Sequence, residues 1–185
     1  MDNSLSTPLT IQRADYRPVP WRIDSVELHF DLDTENTLVK SRLACVRKRG
    51  ESGPLMLYGE DMELVSLRID GQDAADWMTR TEAGIELDIP GSVAMVEVIT
   101  RVNPKANTTL SGLYASKNGL FTQCEAEGFR RITYFPDRPD VMTRFSVRME
   151  ADRARFPVLL SNGNLVASGE LPGDRHFAQW EDPFP

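Results

Sequence analysis

Histidine and cysteine are scarce in this chain, with two of each in 185 residues. His29 and His176 are far apart, and no H-E-x-x-H, C-x-x-C or clustered carboxylate pattern supplies the three or four ligands a catalytic metal needs. The residues themselves therefore predict no metal site in this chain. His29, beside Glu27 and Asp31, reads as a cross-strand pairing residue, and His176 as a surface or interface residue. Cys45 and Cys124 cannot form the disulfide framework of a small secreted domain, so a reducing, cytoplasmic setting is expected. Cys124 has no neighbouring histidine and reads as a small buried hydrophobe rather than a nucleophile. The G-x-S-x-G, G-x-G-x-x-G and Walker patterns are also missing, which removes local support for nucleophile-elbow, dinucleotide and phosphate-cradling chemistry.

Positive charge is in the minority. With 21 Lys and Arg against 28 Asp and Glu the net charge is −7, and the longest basic run is Arg47-Lys48-Arg49, so nucleic acid is not expected as a partner. No segment approaches the ~18 apolar residues of a membrane helix, and residues 1–22 lack the basic and apolar regions of a secretory leader, so no membrane partner is expected. At 41% hydrophobic and 26% charged, the composition is that of a globular protein of one domain.

What is present is period-two alternation. Residues 1–20 read as a polar lead stiffened at Tyr16-Arg17-Pro18-Val19-Pro20, and a single domain is expected over residues 21–185. Val26, Leu28, Phe30 and Leu32 share one strand face, Asp33-Thr34-Glu35-Asn36 turns the chain, and Val39, Leu43 and Cys45 share a face of the returning strand. Val65, Leu67 and Ile69 lead into an Asp70-Gly71 turn; Ile85, Leu87 and Ile89, then Val96, Val98 and Val102, repeat the pattern until Pro104. Phe145, Val147, Met149 and Ala151 form the cleanest strand face. A hairpin is predicted around Asn162-Gly163-Asn164, with flanks 158–161 and 165–168, and another turn at Pro172-Gly173-Asp174 before a last strand over 175–181. Helix is expected only as single turns, near Pro139-Asp140 and over 73–79. The prediction is an all-β, largely antiparallel sheet or sandwich.

One stretch, from Gly119 to Asp140, departs from plain alternation. If residues 120–125 form a strand, Gln123 and Glu125 fall on one face, an amide oxygen beside a carboxylate. Such a pair can accept charge-assisted hydrogen bonds from an ammonium group, although a Gln and a Glu on a strand also suit a plain solvated face.

The run T-Q-C-E-A-E-G-F-R-R-I-T-Y-F-P-D-R-P-D at Thr122 to Asp140, L-L-S-N-G-N at Leu159 to Asn164 and W-E-D-P-F-P at Trp180 to Pro185 resemble the bacterial alanyl aminopeptidases of the gluzincin class. Y-R-P at Tyr16 to Pro18, F-D-L-D at Phe30 to Asp33 and G-E-D at Gly59 to Asp61 extend the likeness over nearly the whole chain, with Pro136 standing where Leu is more usual. The resemblance implies a saddle-like amino-terminal β domain packed against a thermolysin-like catalytic domain, in an enzyme that removes single residues from peptide amino ends. It implies that Gln123 and Glu125 bind the substrate's free α-amino group, and that the Glu125–Ala126 peptide is cis. Zinc, its H-E-x-x-H helix and the G-A-M-E-N motif would belong to later sequence, and this fragment alone would be inactive. The rival reading is a non-catalytic β-sandwich binding protein or carbohydrate through Trp21, Trp77, Tyr114 and Trp180.

Overall fold

A computed structural model describes residues 12–117 and 119–185; residues 1–11 of the expected lead lie outside the described residues. The strand faces follow the predicted alternation except at Val65, which is expected on the face of Leu67 and Ile69 but is 43% exposed, because the register shift between Leu64 and Ser66 turns it outward and Leu64 inward. Strands β1 (Trp21–Asp31) and β2 (Thr37–Arg47) form the first hairpin, and Val26, Leu28 and Phe30 of β1 pack inward with Val39, Leu43 and Cys45 of β2. Trp21 and Ile23 are also buried, although they have the opposite parity to Val26. The register shift between Ile23 and Ser25 restores the phase, since an extra residue in one strand turns its later side chains to the other face.

The remaining strands are β3 (Leu55–Tyr58), β4 (Glu63–Ile69), β5 (Gln72–Asp73), β6 (Met78–Arg80), β7 (Gly84–Leu87), β8 (Val93–Val102), β9 (Gly112–Ser116), β10 (Gly119–Gln123), β11 (Arg144–Asp152), β12 (Asn164–Leu171) and β13 (Arg175–Asp182). They make an eight-stranded sheet ordered β12-β13-β11-β1-β2-β8-β4-β5, a three-stranded sheet β3-β7-β6 and the β9-β10 ribbon. At the β4–β5 turn Asp70 and Gly71 have φ of 51° and 79°, as a two-residue hairpin loop requires. One hydrophobic cluster joins the buried face of the large sheet to Leu55, Leu57, Ile85 and Leu87 of the small one.

The fold is all-β and largely antiparallel, as expected, with one parallel pair, and two predicted local elements are corrected. The large sheet is mixed, because β1 and β11 pair in parallel from Ser25↔Arg144 to Asp31↔Glu150. Alternation records which face is buried and carries no information on a partner's direction. Residues 158–161 are not a strand: Gly163 packs so tightly on β13 that a Cβ there would lie 2.1 Å from the Glu181 carbonyl oxygen, so the turn docks on β13 instead of pairing its own flanks. The partner of β12 is β13, reached through Pro172-Gly173-Asp174. Pro139 and Asp140 form a non-helical turn, in which the Asp140 carboxylate accepts from Tyr16 and Arg138; the short 3-10 turns lie at Arg13–Asp15, Ala75–Trp77 and Phe129–Arg131.

Polar residues on the buried face tie one loop to the sheet. Ser41 of β2 and Thr100 of β8 have inward parity and are essentially unexposed. The Ser41 and Thr133 hydroxyls are hydrogen-bonded at 3.0 Å, and Thr100 Oγ1 donates to the Ile132 carbonyl at 2.9 Å. These two rungs hold residues 132–133, just beyond the Phe129–Arg131 turn, against the sheet. Thr100→Val is expected to lower stability by about 1–2 kcal/mol in urea denaturation, since it leaves the Ile132 carbonyl buried without its donor. Thr100→Ser, which keeps the hydroxyl, should lose less.

Candidate functional site at the end of the β9–β10 ribbon

The strand that carries Gln123 ends there: Gln123 closes β10 and pairs with Gly112 of β9. Glu125 lies two residues further on, outside the strand, in the turn that ends at Gly128. The strand expected over 120–125 is therefore shortened, and pleat alternation does not govern where Glu125 points. The Glu125–Ala126 peptide is cis. Both side chains are exposed.

Two glycines allow this turn to form. The Gly128 N–H donates to the Cys124 carbonyl at 2.9 Å, and a Cβ on Gly128 would lie 2.7 Å from the Gln123 carbonyl oxygen and 2.9 Å from Ser111 Oγ. Gly112 has φ 75°, and a Cβ there would lie 2.5 Å from Arg131 Cβ. Ribbon, turn and 3-10 turn thus meet without intervening side chains.

Arginines occupy the neighbouring carboxylates. Arg130 Nη2 donates to Glu127 at 2.9 Å and Arg130 Nε to Asp137 at 3.1 Å, while Arg131 reaches Asp61 at 2.6 Å and also Glu60. Among the described residues, neither Gln123 nor Glu125 has a side-chain hydrogen bond or ion pair, so two sets of acceptors stay open next to carboxylates that are paired with arginine. The site is exposed. A groove of 260 Å³ runs past Asp61, Asn107, Leu113 and Arg131, another of 190 Å³ past Pro18, Met56, Tyr58 and Arg138, and neither includes Gln123 or Glu125.

Sequence reasoning did not single out Arg130, Asp137, Thr133, Ser41 or Thr100. A usable signal existed for two of them, because a hydroxyl at an inward strand position, as at Ser41 and Thr100, must find a partner.

Cys124 is half-buried, and its burial, followed by the nearby Asp137 carboxylate, pushes the thiol up to about 11; burial pushes Cys45 up to about 12. Since only the thiolate reacts, alkylation of Cys124 by iodoacetamide near neutral pH should run roughly 10²-fold slower than that of an ordinary thiol and should quicken as pH rises toward 11. Among the described residues no three His, Cys, Asp or Glu side chains gather into a group that could hold a metal ion. His29 Nε2 lies 3.2 Å from Glu150, and His176 Nε2 lies 2.7 Å from the Phe156 carbonyl oxygen. The donors described here do not fit a zinc site.

Residues 27–185 match the family model described as the peptidase M1 N-terminal domain. The chain belongs to that family. It is 49% identical over 181 residues to an aminopeptidase N of Caulobacter vibrioides, covering 97% of this chain and 21% of the relative. It is 45% identical over 178 residues to an aminopeptidase N of Escherichia coli, covering 96% and 20% respectively. Among solved structures, an aminopeptidase A of Legionella pneumophila in complex with aspartic acid matches with TM-score 0.86 and 32% identity, over 93% of this chain and 21% of that one. An M1 zinc metallopeptidase of Deinococcus radiodurans shares the fold with TM-score 0.73 at 15% identity, over 88% of this chain and 39% of that one. The chain spans about a fifth of the length of the curated relatives it matches.

Proposed function

We propose that this M1 N-terminal domain works within a zinc aminopeptidase that removes single residues from peptide amino ends, and that its own contribution is to grip the substrate's free α-amino group. The carrying observation is that, among the described residues, the Gln123 and Glu125 side chains have no hydrogen-bond or ion-pair partner, while the Glu60, Asp61, Glu127 and Asp137 carboxylates pair with Arg130 and Arg131. The peptide's ammonium donates to the Gln123 amide oxygen and the Glu125 carboxylate, and each such charge-assisted bond contributes roughly 1.5–3 kcal/mol when well placed. An acylated amino end carries no positive charge and leaves the carboxylate unmatched, so it is rejected.

Zinc, when bound by residues outside this chain, supplies the activated water and polarises the scissile carbonyl. The work of this domain is register: with the ammonium held at this site, only the first peptide bond reaches the reacting centre. The aspartic acid in the Legionella relative's structure fits a site that takes a single amino acid with a free amino group. The catalytic domain is the natural partner, and the exposed Val158, Leu160, Leu165, Val166 and Phe184 are surface suited to packing against further polypeptide. The two unpaired cysteines suit a cytoplasmic enzyme. The binding-module rival loses one of its proposed stacking residues, because Trp21 is 1% exposed.

The deciding measurement is the ratio of kcat/KM for a free-amine peptide to that for its N-acetylated counterpart on the intact polypeptide. Exchange of Glu125 should collapse that preference; an unchanged ratio would sink the assignment.

A further inference from the structure

We infer that Arg130 and Asp137 are the positioning pair for the amino-end anchor, acting through Glu125 without touching substrate, an inference that rests on the anchoring role of Glu125. The two acceptors are held by different means. Gln123 is fixed by the β9–β10 ladder through its pairing with Gly112. Glu125 lies beyond the ladder, so something else must define its place.

Arg130 closes the segment that contains it. Its backbone N–H and its Nε both donate to Asp137 Oδ2, at 3.0 and 3.1 Å, and its Nη2 donates to the Asp137 carbonyl at 2.6 Å and to Glu127 at 2.9 Å. The guanidinium carbon sits 4.6 Å from the Tyr58 ring centroid. The Arg130 carbonyl accepts from the Glu60 N–H at 2.9 Å, and Tyr58 and Phe135 exchange backbone bonds of 2.8 and 3.1 Å. One side chain therefore joins the Glu125–Gly128 turn, through Glu127, to the Pro136–Asp137 stretch and to the end of β3.

The Arg130 and Asp137 side chains are only 19% and 9% exposed, so water screens their attraction little. A lysine could not replace the arginine: the Nε and Nη2 donors act together on three acceptors in a planar fork, and an ammonium is a single point. Because Arg130 also pairs with Glu127 and Asp137, Glu125 is, among the described residues, the carboxylate of the turn without an ion-pair partner.

Two measurements test this. In amide hydrogen exchange on this chain, Arg130→Met should speed exchange of the Gly128 amide, which donates to Cys124, by tenfold or more, while amides of β2 and β8 keep their protection. Asp137→Asn, which retains an acceptor, should show the same pattern more weakly and serves if Arg130→Met does not fold. Unchanged Gly128 exchange, or an equal loss across the sheet, overturns the inference. In the intact enzyme, Arg130→Met should lower kcat/KM about tenfold when Glu125 is present and hardly at all in a Glu125→Ala background, because a residue acting through Glu125 has nothing left to position. Additive losses in that cycle overturn it as well. Should Glu125→Ala alone leave kinetics intact, the anchoring reading is what fails, and the exchange experiment still judges whether Arg130 orders the turn.

Discussion

Replacing Glu125 with alanine in the intact polypeptide is expected to lower kcat/KM on free-amine peptides by roughly 10²–10³-fold while the zinc content stays unchanged. Two effects combine to give that size. The ammonium loses a charge-assisted partner, and the scissile bond loses the restraint that holds it in reacting register. The metal should be unaffected, because no described residue near Glu125 belongs to a group capable of holding one. Gln123→Ala should be milder, since an amide oxygen is a neutral acceptor and the strand beneath it persists. Wild-type kinetics in the Glu125 variant, with full metal loading, would remove the anchoring role.

The second large effect is structural. Gly112→Ala should destabilise the domain by roughly 2–5 kcal/mol, read as a shift of the urea midpoint, because it combines a left-handed backbone with overpacking. At φ 75° a Cβ costs energy even in open space, and here it would lie 2.5 Å from Arg131 Cβ and 3.3 Å from the Gly128 carbonyl oxygen. The ribbon and the 3-10 turn would have to separate. Gly71→Ala is the matched control: its φ of 79° is similar, but nothing lies within 4 Å of its would-be Cβ, so it should show the conformational part alone. Equal losses in the two variants would mean that the close approach at Gly112 contributes nothing.

Much of the sheet was legible because its information is local. Val26, Leu28 and Phe30, or Phe145 through Ala151, announce a buried face by spacing alone, and Asp70-Gly71 announces its turn by residue type. Direction and partner are not local properties. The parallel contact of β1 with β11, and the docking of Gly163 on β13 in place of a hairpin, depend on residues far away in sequence. The site divides the same way. Strand parity marks Gln123 and Glu125 as a pair of acceptors, but their role is implied only by resemblance, since exposed polar residues on or beside a strand carry no signal of purpose by themselves. Arg130 was invisible because its meaning lies in where Asp137, Glu127 and Tyr58 come to rest.

The hydroxyl rungs from Ser41 and Thr100 span 92 and 32 residues of chain. Contacts across such separations form late, after the long intervening segments have been gathered in. On the proposed anchoring role, the stretch that follows Gln123 and Glu125 is fixed to the sheet only once these distant segments have met. A single-residue slip between β2 and β8 would put the two hydroxyls on opposite faces of the sheet and break one of the rungs on residues 132–133, so the preference for a free amino end also reads out the alignment of those two strands.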